Sequence, residues 1–389
     1  MRAGTPAWCA VTKLQVFCKN VIIEEISIVN LCHADLSART FREEASVTET
    51  TRNRKYQYAL AALFLLAAAG GLSHWLARER AAPPVPVTHK LIIASTSGYV
   101  GTCPVTVAYR NGYFQQEGVA AQIQAHQSGK AALESALAGT ADLATTADIP
   151  IMFAGMKDVP VSVIATFFKT EHDHGIVARR DRGIATLADL KGKKIGVTLG
   201  TSGHFALDGF LSRQHLARAD VTVVNLNPEQ FAAALERAEV DAIATWEPFL
   251  DTLLSALGAN GAVFYGEDIY EIPYSLAGSR AYVAANPDLM RRVLRAMARG
   301  VHECRTEPER ARAVMTAFLQ LDTSKWKAQW PQFHFKLALD QGLILALEDE
   351  SRWAVANGLA PARDTPNFLD IMYLDAMLSV APTAVTIIH

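Results

Sequence analysis

From about residue 90 the chain repeats one pattern of apolar and polar positions. Leu91, Ile92, Ile93 and Ala94 make a short apolar run that ends in Ser95, Thr96, Ser97 and Gly98, as a buried strand does where it gives way to a polar loop. Pro104 to Gly112 then reads as a helix with proline in its first turn and a glycine stop. Val119 to Gln124 alternates as a second strand, Gly129 to Gly139 is a small-residue helix, and Ala141 to Thr145 is a third strand, running through Thr146 to a helix start near Asp148-Ile149-Pro150. Val161 to Phe167 and Gly175 to Ala178 are further strands. Strand and helix alternate throughout, which predicts an α/β body with a mainly parallel sheet.

The second half opens on KGKKIGVTLGTSGHF, Lys191 to Phe205. Ile195, Val197 and Leu199 alternate with small residues, as in a buried strand. Gly200, Thr201, Ser202 and Gly203 then bring small side chains and backbone amides to the start of a helix over His204 to His215. Such a loop turns N–H groups and the positive end of a helix dipole toward one point, which suits a small anion; an ordinary strand-to-helix turn capped by Ser or Thr has the same pattern. A strand over Val221 to Leu226, a helix over Pro228 to Ala238 and a strand over Asp241 to Thr245 lead into Trp246-Glu247-Pro248. The segments ALAGTADLATT and ALERAEVDAIATW match in rhythm, so the body reads as two lobes with polar loops at the carboxyl ends of their strands, the arrangement of a ligand cleft.

What precedes residue 90 differs. Tyr56 to Leu76 is an apolar run without acidic or basic side chains apart from His74, and it is the length a helix needs to cross a bilayer. Arg52, Arg54 and Lys55 precede it, which favours a cytoplasmic N-terminus and an exported body. The run reads as an anchor with Trp75 at the interface, or as a signal peptide cut near Ala67 to Gly71. Residues 1–55 form an N-terminal extension, disordered or the product of an over-extended reading frame, and residues 77–89 a proline-rich linker.

In 389 residues, 37 Lys and Arg stand against 39 Asp and Glu, a balance with no electrostatic footprint for nucleic acid. Cys9, Cys18 and Cys32 follow no metal-binding spacing. Cys103 and Cys304, the two in the body, are read as separate buried thiols, with a disulfide open to them in an oxidising compartment.

NGYFQQEGV at 111–119, SALAGTADLATTADIP at 135–150, LADLKGKKIGVTLGTSGHF at 187–205, VDAIATWEPF at 240–249 and the closing PNFLDIMYLDAMLSVAPTAVTIIH resemble the type 2 solute-binding proteins of ABC importers. The class in question is the nitrate, sulfonate, taurine and thiamine-precursor (NMT1/THI5-like, SsuA-like) one. The resemblance covers about Lys90 to His389. It implies two α/β lobes, residues 90–174 with 273–389 and residues 175–272, joined by two crossovers and closing on a small-molecule solute. The partners implied are a permease and its ATPase subunits, with the inner membrane reached through residues 56–76, and the place is the periplasmic face. No cofactor and no enzymatic activity are implied.

Carried onto this sequence, the cleft is lined by Ser95, Thr96, Ser97, Gly98 and Thr102, by Thr145 and Thr146, by Gly200, Thr201, Ser202, Gly203 and His204, and by Trp246 and Glu247. Hydroxyls and amides hold an anionic or polar headgroup, and Trp246 stacks on the ligand or walls it off. Glu247 accepts from the ligand or pairs with the hinge, and Asp148 caps its helix. No arginine lies in these loops, which leaves room for a neutral pyrimidine-like heterocycle beside a sulfonate, nitrate or taurine-like anion. Arg280, after the second crossover, is taken as a surface residue. Two alternatives stand beside this reading. Glu171-His172-Asp173-His174 with His204 suggests a metal or cofactor site of a pyrimidine-synthase-like enzyme, against a plain polar hinge loop, and the tethered body also fits a membrane-bound ligand sensor.

Overall fold

The computed structural model describes residues 89–266, 269–320, 326–362 and 364–388. The expected N-terminal extension, the membrane or signal run 56–76 and nearly all of the linker lie outside the described residues.

Two sheets carry the body. The first has seven strands in the order β12-β11-β4-β10-β3-β1-β2: β1 His89–Thr96, β2 Val119–His126, β3 Leu143–Ala147, β4 Val161–Thr170, β10 Ile272–Ser279, β11 His334–Asp340 and β12 Val385–Thr386. The second has five in the order β7-β6-β8-β5-β9: β5 His174–Arg179, β6 Lys194–Val197, β7 Thr222–Asn225, β8 Ala242–Trp246 and β9 Gly261–Tyr265.

The sheets are mixed rather than mainly parallel. β1 runs parallel to β2 and β3, and β6 to β7 and β8, but β10 is antiparallel to β3 and β4, and β5 to β8 and β9. The reason is the crossing between sheets. β4 and β9 run toward the gap and their continuations, β5 and β10, start at the gap and run away from it, so each must lie against the direction of its neighbours.

Six helices matter for the site: α1 Cys103–Arg110, α2 Gly129–Leu137, α3 Asp148–Met156, α4 Ser202–Arg213, α5 Pro287–Thr306 and α6 Gln341–Ala356. Along β5, Ile176 and Ala178 join one apolar cluster of the second sheet and Val177 joins the other. Alternate side chains of a strand point to opposite faces, so both faces of this sheet are covered.

Cys103 and Cys304 are not separate thiols: they form a disulfide with a Cα–Cα distance of 6.2 Å, joining α1 to α5 across 201 residues of sequence. The two helices come close because residue 300 of α5 is glycine; a Cβ there would lie 2.1 Å from the Pro104 carbonyl oxygen. Residues so far apart in sequence gave no hint of this contact.

A covalent link closing so long a loop restricts the unfolded chain, which is worth about 2–4 kcal/mol. Cys304→Ser is expected to lower the unfolding free energy by about that amount in chemical denaturation. Reductant should bring the wild type down to the variant and leave the variant unchanged; equal midpoints for all three would count against the bond's role.

Candidate ligand-binding cleft

Strands that run toward the gap hand over there to helices. β2 ends at His126 before α2 begins at Gly129, β3 ends at Ala147 before α3 begins at Asp148, and β6 ends at Val197 before α4 begins at Ser202. Ser128 caps α2 by accepting from the Ala131 amide at 3.2 Å. At α3 and α4 the cap positions, Ala147 and Thr201, make no side-chain cap bond; the Thr201 hydroxyl donates instead to the Thr198 carbonyl at 2.7 Å. At α3 the Asp148 carboxyl accepts from the Ile149 amide at 2.8 Å and Pro150 has no N–H, so it is α4 that presents free first amides to water or ligand.

All three N-termini meet around a small cavity of about 20 Å³, room for about one water. Thr96 and Tyr274 line it from the first sheet, Tyr99 from the loop after β1, Trp246 from the second sheet, Ser202 from the start of α4, and Asp173 from the outward crossing. Lys130, in the first turn of α2, is the lining residue with a positive side chain, and its Nζ donates across the gap to the Leu199 carbonyl at 3.2 Å. Tyr99 Oη donates to Asp173 Oδ2 at 3.0 Å, and Asp173 Oδ1 has no partner. Burial pushes the Asp173 carboxyl well above the usual carboxylate range, with the nearby Glu247 charge acting in the same direction. Three helix ends and a lysine therefore surround an acid whose charged form burial disfavours, a field that favours an anion.

His174 Nε2 lies 2.9 Å from Ser202 Oγ, and its Nδ1 lies 3.6 Å from Asp173 Oδ2. The order Ser, His, Asp is that of a hydrolytic triad, but the chemistry differs. Burial lowers His174 to about 3, which makes it a weak base, and a neutral Asp173 held by Tyr99 does not stabilise an imidazolium. The pair positions the Ser202 hydroxyl at the cavity wall.

Of the residues read from sequence as lining the cleft, Thr96, Thr201, Ser202 and Trp246 line this cavity. Ser95 and Thr145 stand behind it, with Thr145 Oγ1 donating to Ser95 Oγ at 3.0 Å. The Thr146 hydroxyl donates to the Ala147 carbonyl at 3.3 Å and that of Thr102 to the Tyr99 carbonyl at 2.7 Å. Gly98 turns the loop at φ 68°. Gly203 lies under Trp246, where a Cβ would come within 3.2 Å of the ring. Ser97 opens onto a neighbouring cavity of about 420 Å³, and Gly200 and His204 onto one of about 340 Å³. Glu247 accepts from the Asp251 amide at 3.2 Å and from Tyr265 Oη at 3.3 Å, so it holds the start of the following helix. Arg280 donates to the Asp370 carbonyl at 3.1 Å and lines a separate surface cavity. Among the described residues no group of three or more His, Cys, Asp or Glu is placed to hold a metal ion.

Lys130, Tyr99 and Tyr274 were not legible as site residues. One signal was present: Ser128 is a good N-cap, and a lysine two residues later opposes the helix dipole, a local misfit that marks Lys130.

The family model described as NMT1/THI5 like matches residues 101–311, more than half of the chain. The chain belongs to the NMT1/THI5-like family. A Bacillus subtilis (strain 168) relative named for binding aliphatic sulfonates is 29% identical over 204 residues, 51% of this chain and 61% of the relative. Among solved structures, the alkanesulfonate-binding protein SsuA from Xanthomonas axonopodis pv. citri, bound to MOPS, superposes with a TM-score of 0.64 at 21% identity, over 75% of this chain and 99% of that one. The periplasmic aliphatic sulphonate binding protein SsuA from Escherichia coli gives 0.60 at 20% identity, over 74% and 99%. At these identities the two structures establish the fold alone.

Behind the cleft of this NMT1/THI5-like chain lies a buried acid pair. Asp148 Oδ1 accepts from the Ile149 amide at 2.8 Å and from Tyr270 Oη, next to the return crossing, and Glu350 of α6 lies against it. Asp148 thus braces its own helix start. Burial raises Asp148 to about 6 and Glu350 well above its ordinary value, the Asp148 charge adding to the latter.

Carboxyls raised in the folded state stabilise it while protonated, so stability is full below about pH 4 and is lost as pH rises through about 6 and beyond. Glu350→Gln keeps a donor for Asp148 and removes one charge. The variant should gain about 1–2 kcal/mol over wild type at pH 8 and little at pH 4. Denaturant melts across this range would contradict the assignment if the variant lost stability equally at every pH.

Proposed function

We propose that this chain is the substrate-binding component of an ABC-type importer. It captures a small organic solute with an anionic head between two lobes, residues 90–174 with 273–389 and residues 175–272, and delivers it to a membrane permease served by ATPase subunits. The observation that carries this reading is the convergence of three helix N-termini and Lys130 on one cavity lined from both sheets. The names of the Bacillus subtilis relative and of the two SsuA structures support a sulfonate-type head.

A cavity of about 20 Å³ is too small for such a head. The lobes must open about the crossings at 171–173 and near Tyr270, and the bond from Lys130 to Leu199 must break and reform around the ligand. The Cys103–Cys304 disulfide supports an oxidising compartment, and we place the body at the periplasmic face of the inner membrane, tethered or released according to the fate of residues 56–76. We read the chain as a binder that uses no cofactor rather than an enzyme.

A second reading has its own observation. Asp173 Oδ1 lacks a partner and Trp246 lines the same cavity, which suits a flat ring with polar groups of its own to pair with the carboxyl, as a pyrimidine has.

Thermal melts of the full chain with sulfonates, taurine, nitrate, carboxylates and pyrimidines decide between these. A ligand at one hundred times its dissociation constant adds about 2.7 kcal/mol. The account expects a sulfonate to raise the melting temperature and Lys130→Met to weaken its binding about tenfold, the worth of one charge-assisted hydrogen bond. Asp173→Asn should leave sulfonate binding in place. A shift with pyrimidines alone, abolished by Asp173→Asn, selects the second reading, and no shift with any ligand sinks both.

A further inference from the structure

α6 is built into the first lobe: its Leu343, Ile344, Leu347 and Ala354 are buried in the same apolar cluster as Leu91 and Ile93 of β1. One side chain of this helix nevertheless reaches the other lobe. Trp353 Nε1 donates to Asp208 Oδ2 of α4 at 2.9 Å, and its ring stands edge to face with Phe205 of α4 at 5.1 Å between centroids and with His204 at 5.3 Å. Asp208 is also gripped from within its own lobe, where Arg218 Nη1 donates to Oδ1 at 3.1 Å and to Oδ2 at 3.0 Å. Glu350, three residues before Trp353 and so on the same side of α6, lies against Asp148 at the start of α3. α6 thus touches two of the three helices whose starts face the polar cavity.

The contact at Trp353 is one that can be made and broken. Opening about the crossings carries α4 away with residues 175–272, while the buried side chains of α6 hold it to the first sheet. On parting, Asp208 keeps Arg218 and the half-buried indole meets water, so neither group is left buried and unpaired. Ser202 lies six residues before Asp208 on the same helix, about 9 Å along its axis, and Trp353 itself stands outside the walls of the polar cavity. Resting on the two-lobe reading above, we infer that Trp353 is a latch between the lobes: its bond to Asp208 holds α4, and with it Ser202 and the free first amides, in the closed position before any ligand arrives. Trp353 is a positioning residue that acts through α4. It sets the share of ligand-free molecules that are closed.

The test is the distance between the lobes in the ligand-free full chain, read by pulsed electron spin resonance. Spin labels go on non-natural residues at the exposed positions Gln115 and Glu236, which leaves the Cys103–Cys304 disulfide in place. Trp353→Phe keeps a ring and removes the N–H; it should raise the ratio of open to closed molecules about tenfold, the worth of a hydrogen bond to a charged group. Asp208→Asn, which keeps an uncharged acceptor, should shift the ratio the same way by less. With butanesulfonate as the probe, calorimetry should show each variant's dissociation constant rising by the factor by which its closed fraction falls, and saturating probe should return both variants to the wild-type closed distance. An unchanged distance distribution in Trp353→Phe overturns the latch, even where the variant melts at a lower temperature, since that marks a purely structural role. A ligand-free wild type that is wholly open overturns it too. Absence of butanesulfonate binding removes the anion-head reading alone, because the ligand-free distances still decide the latch. Lobes fixed at one distance in every variant, with and without a probe that binds, remove the hinged two-lobe reading together with this inference.

Discussion

Everything in the cleft follows from one electrostatic constraint: helices that begin where strands end must direct their positive ends into the same gap. α2, α3 and α4 do so from two different sheets, and two of them lack a side-chain cap. With the lobes closed, little water remains to satisfy those amides. The lysine in the first turn of α2 would raise the positive potential further, and burial keeps the acid at 173 from cancelling it. Ser128 satisfies an amide at the start of α2 and Asp148 one at the start of α3, so the first amides of α4 are those left for a partner from outside.

The second constraint is topological. A two-sheet body whose chain crosses out and returns must place one strand of each sheet against its neighbours' direction, and those strands, β5 and β10, begin at the gap. They deliver Tyr274 to the cavity wall and His174 to the Ser202 hydroxyl. The reversed strands thus bring polar side chains between the strand-end loops.

The four loops were legible from sequence because small hydroxyl residues after a short apolar run leave few other structures available, and Thr96, Thr201, Ser202 and Trp246 do reach the cavity. Ser95, Thr145 and Thr146 have the same composition but spend their hydroxyls on one another or on backbone, which composition does not distinguish. Tyr274 was hidden because its strand belongs to a sheet begun nearly two hundred residues earlier. Asp173 was visible only within a polar run that suggested a solvated hinge, and its burial depends on both lobes. The same limit applies to Cys103 and Cys304, which meet through the packing of α1 on α5. Local pattern specifies elements and loops; pairings between distant segments decide which polar group faces the ligand.

The central claim, an anion held by helix N-termini and Lys130 between the lobes, is tested most directly by a crystal structure of the protein with bound butanesulfonate. The account predicts sulfonate oxygens within hydrogen-bond distance of Ser202 Oγ and Lys130 Nζ. A sulfonate bound outside the gap, or one whose head lies away from both groups, would contradict it.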